Sequence, residues 1–434
     1  MWKKAFLLVI PFLVGACSKS YENIHEIEDS SHSNPIHNLD TVQNEEDEEK
    51  RELISKYVED LEYLRDNLPE LHKDISRNYD AQVFVGEMNR IIERANDKAD
   101  EIFIKHEVMK ELAKIGDSHT NLIFRPTRYF PIRVSKFDNY YYITATTGSN
   151  PKILNSRIVA INGLSLEEVS EKFSAIVSHE SNFALDFKLP GILHQSEYWK
   201  MIADNEDFDT LEMVLLKEGK IFTYELKESV SSRVTLAEKA DNFITRNETG
   251  RIYWQAKIDE DVLYIKYSKC KEDSRYQMEQ FVEDVKQEIH DNSFTKIIID
   301  LRDNGGGNST IISPLYSELE NYKNDIDFIG LINLRTYSSG MLNSLSIKGQ
   351  LDGILIGEPI GQKPDSFGDI RPTSTPNNLL DVFYSTEYFQ MSQFFDFIDE
   401  SDDTLYPDIH IRYTFDDYVN GSDSILEYAI NYKT

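Results

Sequence analysis

Between residues 49 and 115 apolar side chains recur at three- and four-residue steps. Ile54, Tyr57, Val58, Leu61, Leu64, Leu68 and Leu71 form one run. Phe84, Met88, Ile91, Ile92 and Ala95 form a second, and Val108, Leu112 and Ile115 a third. That spacing lines one face of a helix, so it predicts a helical domain over residues 51–125, with Gly116 placed to end its last helix. From Tyr129 the period changes. Ile132–Val134 and Tyr140–Ala145 flank an Asp138-Asn139 turn, and Arg157–Ile161 runs into Asn162-Gly163, a hairpin signal. Ser165-Leu166-Glu167-Glu168 has the form of a capping box opening a short helix through Val169 and Phe173.

From Asp261 onward strand and helix alternate. Val262–Tyr267, Lys296–Leu301, Phe328–Leu334 and Ile354–Gly357 read as strands. Helix faces lie between them at Met278–Ile289, Ile311–Leu319 and Met341–Ile347. Alternation of this kind predicts an α/β layer with a mainly parallel sheet. Such a sheet takes its ligand at the carboxyl ends of its strands, which is where the unusual loops of this chain fall. The expected fold class is therefore α/β, or α+β taken over the whole chain. Residues 51–125 form a helical domain, 126–230 a β-rich module and 231–434 the α/β domain. Strand, Asn-Gly turn and short helix in the middle segment resemble a PDZ-like peptide-binding module, which takes a chain end by strand addition. No Gly-Leu-Gly-Phe-type carboxylate loop accompanies them.

The first fifty residues follow neither period. Lys3 and Lys4 precede an apolar run from Ala5 to Val14, too short for an ordinary membrane span and interrupted by Pro11. The run ends in Val14-Gly15-Ala16-Cys17. Small residues before a cysteine resemble the lipobox of bacterial lipoproteins. That resemblance implies a lipoprotein signal segment over residues 1–17 cut just before Cys17, lipidation of Cys17 as the new N-terminus and an extracytoplasmic location. More than one acyl chain is what stable anchoring requires. Residues 18–50 are polar and end in the charge run Asn44–Glu49, which predicts a flexible acidic tether.

Composition narrows the function. There are 46 Lys+Arg against 76 Asp+Glu, a net charge of −30. Nucleic acid is excluded as a partner, because binding it needs a basic footprint. The same charge argues against polybasic attachment to a membrane surface. With two cysteines, Cys17 and Cys270, no disulfide framework supports the fold. No CxxC or HExxH motif suggests a metal, and no cofactor is expected.

Four segments remain that periodicity does not explain. They are Ile115-Gly116-Asp117-Ser118-His119-Thr120, Asp300–Gly307, Arg335–Gly340 with Gly357–Pro364, and Pro407–Ile411. A serine where a helix begins, as Ser338 is, exposes its hydroxyl beside free backbone amides. A glycine run after an apolar strand lets amides approach a ligand. In this order and spacing the segments resemble the S41 peptidase family, the tail-specific or C-terminal-processing serine proteases and the tricorn protease core.

The resemblance covers roughly residues 55–430. It implies a serine peptidase acting on a polypeptide through an acyl-enzyme, with Ser338 as nucleophile. It also implies an oxyanion hole from Gly305 or Gly306 and the amide of Ser339. For the base it offers two candidates. One branch uses a lysine 25 residues after the serine, here Lys363 following Gly357-Glu358, although Gln362-Lys363-Pro364 replaces the glycine usual around it. That lysine must be held neutral by burial. The tricorn-like branch uses a Ser-His pair, here Ser118-His119, together with a distant acid. Glu400 is the candidate acid, with Asp402 and Asp403 nearby. Histidine titrates near neutrality without such a shift, and the Asp-Ser-His-Thr segment favours His119. Met341 departs from the glutamate that many members carry near that point. The alternative expectation is a non-catalytic lipoprotein on the same scaffold that binds a peptide or small hydrophobic molecule.

Overall fold

The parallel sheet fixes the geometry of everything that follows. In a computed structural model, which describes residues 39–97, 100–237 and 250–433, six strands pair in one sheet. From one edge to the other they are Ile409–His410, Ile354–Gly357, Asp327–Ile332, Lys296–Asp300, Val262–Tyr267 and Tyr253–Asp259. All neighbours are parallel except the last pair, which is antiparallel. Side chains alternate between the two faces, as the pleat requires. Leu263, Ile265, Ile297 and Ile299 enter one apolar layer, beneath helices Met278–Asp291, Ser313–Leu319 and Ser339–Gly349. Val262, Tyr264, Ile298, Ile329, Leu331 and Ile356 enter the other, beneath the C-terminal helix Ser424–Asn431. Burial on both faces explains why these strands read as unbroken apolar runs.

The carboxyl ends of the inner strands share one side of the sheet. Loops 301–308, 333–338 and 358–365 therefore lie together. Asp300 anchors this side. Its buried carboxylate takes hydrogen bonds from Tyr264, Lys266 and Arg302, and Arg302 also grips Asp423 at the start of the C-terminal helix. Burial would raise the Asp300 carboxyl, but the Arg302 and Lys266 charges outweigh it and hold it well below the usual range.

Helices Leu39–Leu71, Ala81–Asp97 and Glu101–Lys114 make up the N-terminal helical region. Ile54, Tyr57, Leu61, Leu64 and Leu68 form the buried stripe of the first helix. Gly116, at φ +67°, follows the third helix in the left-handed conformation expected of it. Residues 126–230 fold around an antiparallel sheet in the order Ile132–Phe137, Tyr140–Thr146, Arg157–Ile161, Thr210–Lys217 and Lys220–Lys227. Ser165 and Glu168 form the full capping box of helix Leu166–Ser174. A third sheet joins Asn121–Leu122 to the hairpin Ser366–Pro372 and Val382–Phe389.

Two sequence expectations are refined. The first helix begins at Leu39, so residues 39–50 are helical rather than tether; the charge run belongs to its first turns. The signal segment, Cys17 and the tether up to residue 38 lie outside the described residues. The helical and β-rich segments, expected as separate domains, share one apolar core that also takes in Leu380, Val382 and Tyr384 of the late hairpin. Residues 49–434 form one compact unit. Cys270 is fully buried, and burial pushes its thiol up to about 12.

Candidate active site

Ser338 sits between strand Asp327–Ile332 and helix Ser339–Gly349, at φ +53° and ψ −123°. A non-glycine residue held there costs on the order of 1–3 kcal/mol and needs its surroundings to hold it. They do so from several directions. The Ser338 amide donates to Gln362 Oε1, and Gln362 Nε2 donates to Ser366 Oγ at 2.8 Å, so the buried amide side chain is fixed at both ends. The Tyr337 amide donates to the Asn304 carbonyl at 3.0 Å, and Thr336 Oγ1 donates to the Leu301 carbonyl at 3.0 Å. Ser339 Oγ donates to the Gly307 carbonyl at 2.7 Å. Two strand-end loops are thus laced together, and the serine hydroxyl itself makes no hydrogen bond among the described residues. The strand–turn–helix geometry presents the serine side chain at a sharp turn.

The glycine run packs directly on this turn. Gly306, at φ +96°, approaches Ser338 so closely that a Cβ on it would lie 2.8 Å from Ser338 Cβ. Its amide donates to Asn304 Oδ1 at 3.0 Å, which corrects the expectation that this amide is free to hold an oxyanion. The amides of Gly305 and Ser339 make no hydrogen bond among the described residues, and Gly305 is exposed. Asn304 is the hub of the loop. It is fully buried and its Nδ2 donates to the Tyr267 carbonyl at 2.9 Å.

Ser118 and His119 arrive from the other side, in the loop after the third helix. The preceding Asp117 is buried and accepts from Thr120 Oγ1 at 2.5 Å, Ser385 Oγ at 2.7 Å, the His119 amide at 2.8 Å and His72 Nε2 at 3.2 Å. His72 Nδ1 accepts from the Asp74 amide at 3.2 Å, which leaves Nε2 as the donor to Asp117. Burial would raise the Asp117 carboxyl, but its contacts with His119 and His72 prevail and hold it far below the usual range. Ser118 Oγ hydrogen-bonds Tyr337 Oη, and His119 Nδ1 lies 3.5 Å from the same oxygen. The His119 and Tyr337 rings stand 5.0 Å apart at 31°. His119 Nε2 is buried without a hydrogen-bond partner among the described residues.

The sequence-derived site residues are therefore not all brought together. Ser338, Ser339, Gly305 and Gly306 meet. Ser118 and His119 join them through Tyr337, yet His119 makes no hydrogen bond to Ser338. Lys363 is partly buried next to Gln362 and makes no hydrogen bond or ion pair among the described residues. Glu400 is corrected outright: its side chain is 77% exposed and lies 4.0 Å from Arg77. Asp402 and Asp403 serve local turns through the Asp399 amide and Tyr406. Asp408 ties Lys348 and the Leu355 amide, a structural task.

Reading the sequence missed Asp117, Tyr337 and Gln362 as site residues. Asp117 and Tyr337 each adjoin a residue that was picked out, and Gln362 had stood out only as a departure from glycine.

Residues 261–315, the strand–helix–strand unit with the glycine run, match peptidase family S41. No curated protein matches the chain in sequence. Among solved structures, mature CPAF is 11% identical and superposes with a TM-score of 0.58, covering 87% of this chain and 96% of its own. CPAF complexed with lactacystin gives 11%, a TM-score of 0.60, and 87% and 97% coverage. At that identity the likeness speaks for the fold. The resemblance to peptidase family S41 in sequence is confined to the segment 261–315.

Proposed function

We propose that the protein is a serine endopeptidase of the tail-specific type, held outside the cytoplasm by a lipidated Cys17. The observation that carries this reading is Ser338, strained at φ +53° at the head of a helix with its hydroxyl unbonded among the described residues. Ser338 Oγ attacks the scissile carbonyl while His119 Nε2 takes its proton. The oxyanion is met by the Ser339 and Gly305 amides. Such donors contribute about 3–4 kcal/mol each. The imidazolium then protonates the leaving amine as the C–N bond breaks, and water hydrolyses the acyl-serine in the reverse sense. His119 is preferred to Lys363 because its Nε2 is free and its ring packs on the residue preceding Ser338.

A serine-reactive phosphonate should label wild type and not Ser338→Ala, and the same pair should differ in turnover of an unstructured polypeptide. His119→Ala should remove turnover and Lys363→Ala leave most of it; the reverse result assigns the base to Lys363. A second reading is favoured by one observation: neither candidate base is hydrogen-bonded to Ser338. If wild type neither labels nor cleaves, a binding lipoprotein on this scaffold is the better description. Anchoring is tested by Cys17→Ser, which should lose incorporated fatty acid and move to the soluble fraction.

A further inference from the structure

Serine hydrolase chemistry requires a histidine whose Nδ1 carries the proton, so that Nε2 is open to accept one. Something must therefore accept from Nδ1. Asp117 is the nearest acid, with Oδ1 3.7 Å from His119 Nδ1, beyond hydrogen-bond range. Its Oδ2 takes three donors, from Thr120, Ser385 and His72, and its Oδ1 takes the His119 amide. With about two sites per carboxylate oxygen, Oδ2 is fully occupied, and Oδ1, the oxygen facing Nδ1, stands too far from it to accept its proton. The oxygen nearer to Nδ1 is the Tyr337 hydroxyl, at 3.5 Å.

We propose that Tyr337 is the positioning residue of this site: its hydroxyl, bonded to Ser118 and facing His119 Nδ1, sets the tautomer and orientation of the base. The inference rests on the reading of Ser338 as nucleophile and His119 as base. The phenol accepts from Nδ1–H and donates to Ser118 Oγ. Its ring is clamped between His119 on one face, at 5.0 Å, and Phe187 on the other, at 4.8 Å. Its backbone is pinned by Asn304 and Gly340. Burial, reinforced by the Glu180 charge, keeps the phenol neutral.

Ser118 is equally fixed. Its amide donates to Glu180 Oε2 at 3.0 Å, and its carbonyl accepts from Lys188, whose ammonium burial pushes down to about 8. Because Tyr337 directly precedes Ser338, a single turn of chain presents the nucleophile and aims its base. This arrangement takes the place of the distant acid.

Tyr337→Phe keeps the ring stack and removes only the hydroxyl. It should lower kcat about 10- to 100-fold with KM changed less than about twofold. Ser118→Ala should lose a similar factor, and the double variant should lose no more than the worse single one, since the two hydroxyls act as a unit. Imidazole nitrogen chemical shifts give a readout independent of turnover. His119 should be the Nδ1–H tautomer in wild type and shift towards Nε2–H in Tyr337→Phe. If His119→Ala is inactive while Tyr337→Phe keeps wild-type kcat and tautomer, this proposal alone falls. If His119→Ala keeps wild-type kcat, the assignment of the base falls and the proposal with it.

Discussion

Gly306 and Ser338 touch with no space between them for a side chain. A Cβ on Gly306 would stand 2.8 Å from Ser338 Cβ and 3.0 Å from both the Ser339 nitrogen and the Tyr337 oxygen. Two of those atoms are backbone and cannot swing aside, and φ +96° penalises any side chain. Gly306→Ala should therefore destabilise the protein by about 1–3 kcal/mol and reduce turnover at least about 100-fold, because relief comes only by moving the serine. Gly305→Ala is the control. A Cβ there meets nothing within 4 Å, and its unfolding midpoint in urea should stay close to that of wild type.

Ser338 itself should trade stability for function. Replacing it by alanine or glycine removes the nucleophile in either case. Only glycine accepts φ +53° without strain. That relief, about 1–3 kcal/mol, is offset by the freer unfolded chain of glycine, roughly 0.4–1 kcal/mol. Ser338→Gly should be about 1 kcal/mol more stable than Ser338→Ala in equilibrium unfolding. Equal stabilities would mean that the turn is not strained as described.

The parallel sheet was legible because its strands are buried on both faces. Ile297–Ile299 and Ile354–Ile356 are unbroken apolar runs with glycine-rich ends, and their helices repeat cleanly. Helix Asn182–Ile192 was not legible: Pro190 and Gly191 stand near its end and its apolar residues do not form one stripe. The hairpin Ser366–Phe389 was missed as well, since Asp369 at φ +54° interrupts its first strand. At the site, spacing alone carried Ser338 and the glycine run. It could not reveal that Asp117 takes donors from groups as distant in sequence as His72 and Ser385, or that Tyr337 faces His119 across 218 positions. Those relations come from tertiary packing. Glu400 failed for the matching reason: proximity to the Pro-Asp ending says nothing about which way an exposed acid faces.

Asp117 should make a large contribution to stability at neutral pH. Asp117→Asn replaces one acceptor oxygen by a donor amid four donors, leaving buried groups unpaired, and should cost about 3–5 kcal/mol. The folded carboxyl is depressed, so its stabilisation is complete above the unfolded carboxylate range, near pH 4, and is lost as pH falls through the folded value. The gap between wild type and Asp117→Asn should thus be constant from pH 5 to 8 and narrow on strong acidification. A gap that narrows towards pH 8 would contradict this assignment.

Glu358 should act with the opposite sign. It follows the strand Ile354–Gly357, and burial lifts its carboxyl to about 7, the Tyr413 amide and Arg302 opposing and the Asp138 and Asp303 charges adding to the rise. Its Oε1 accepts from the Tyr413 amide at 3.3 Å, a bond that a glutamine carbonyl can also make. With the folded value above the unfolded one, the folded protein retains a proton that the unfolded chain releases. The associated stability is fully present below about pH 4.5 and is lost as pH rises through about 7. Glu358→Gln removes the ionisation. The variant should match wild type near pH 4.5 and be more stable at pH 8 by about 2 kcal/mol, a figure reduced for the partial exposure of the group. Unfolding at the two pH values measures the difference directly, and a gap that does not change between them would show that this carboxyl is not held protonated by the fold.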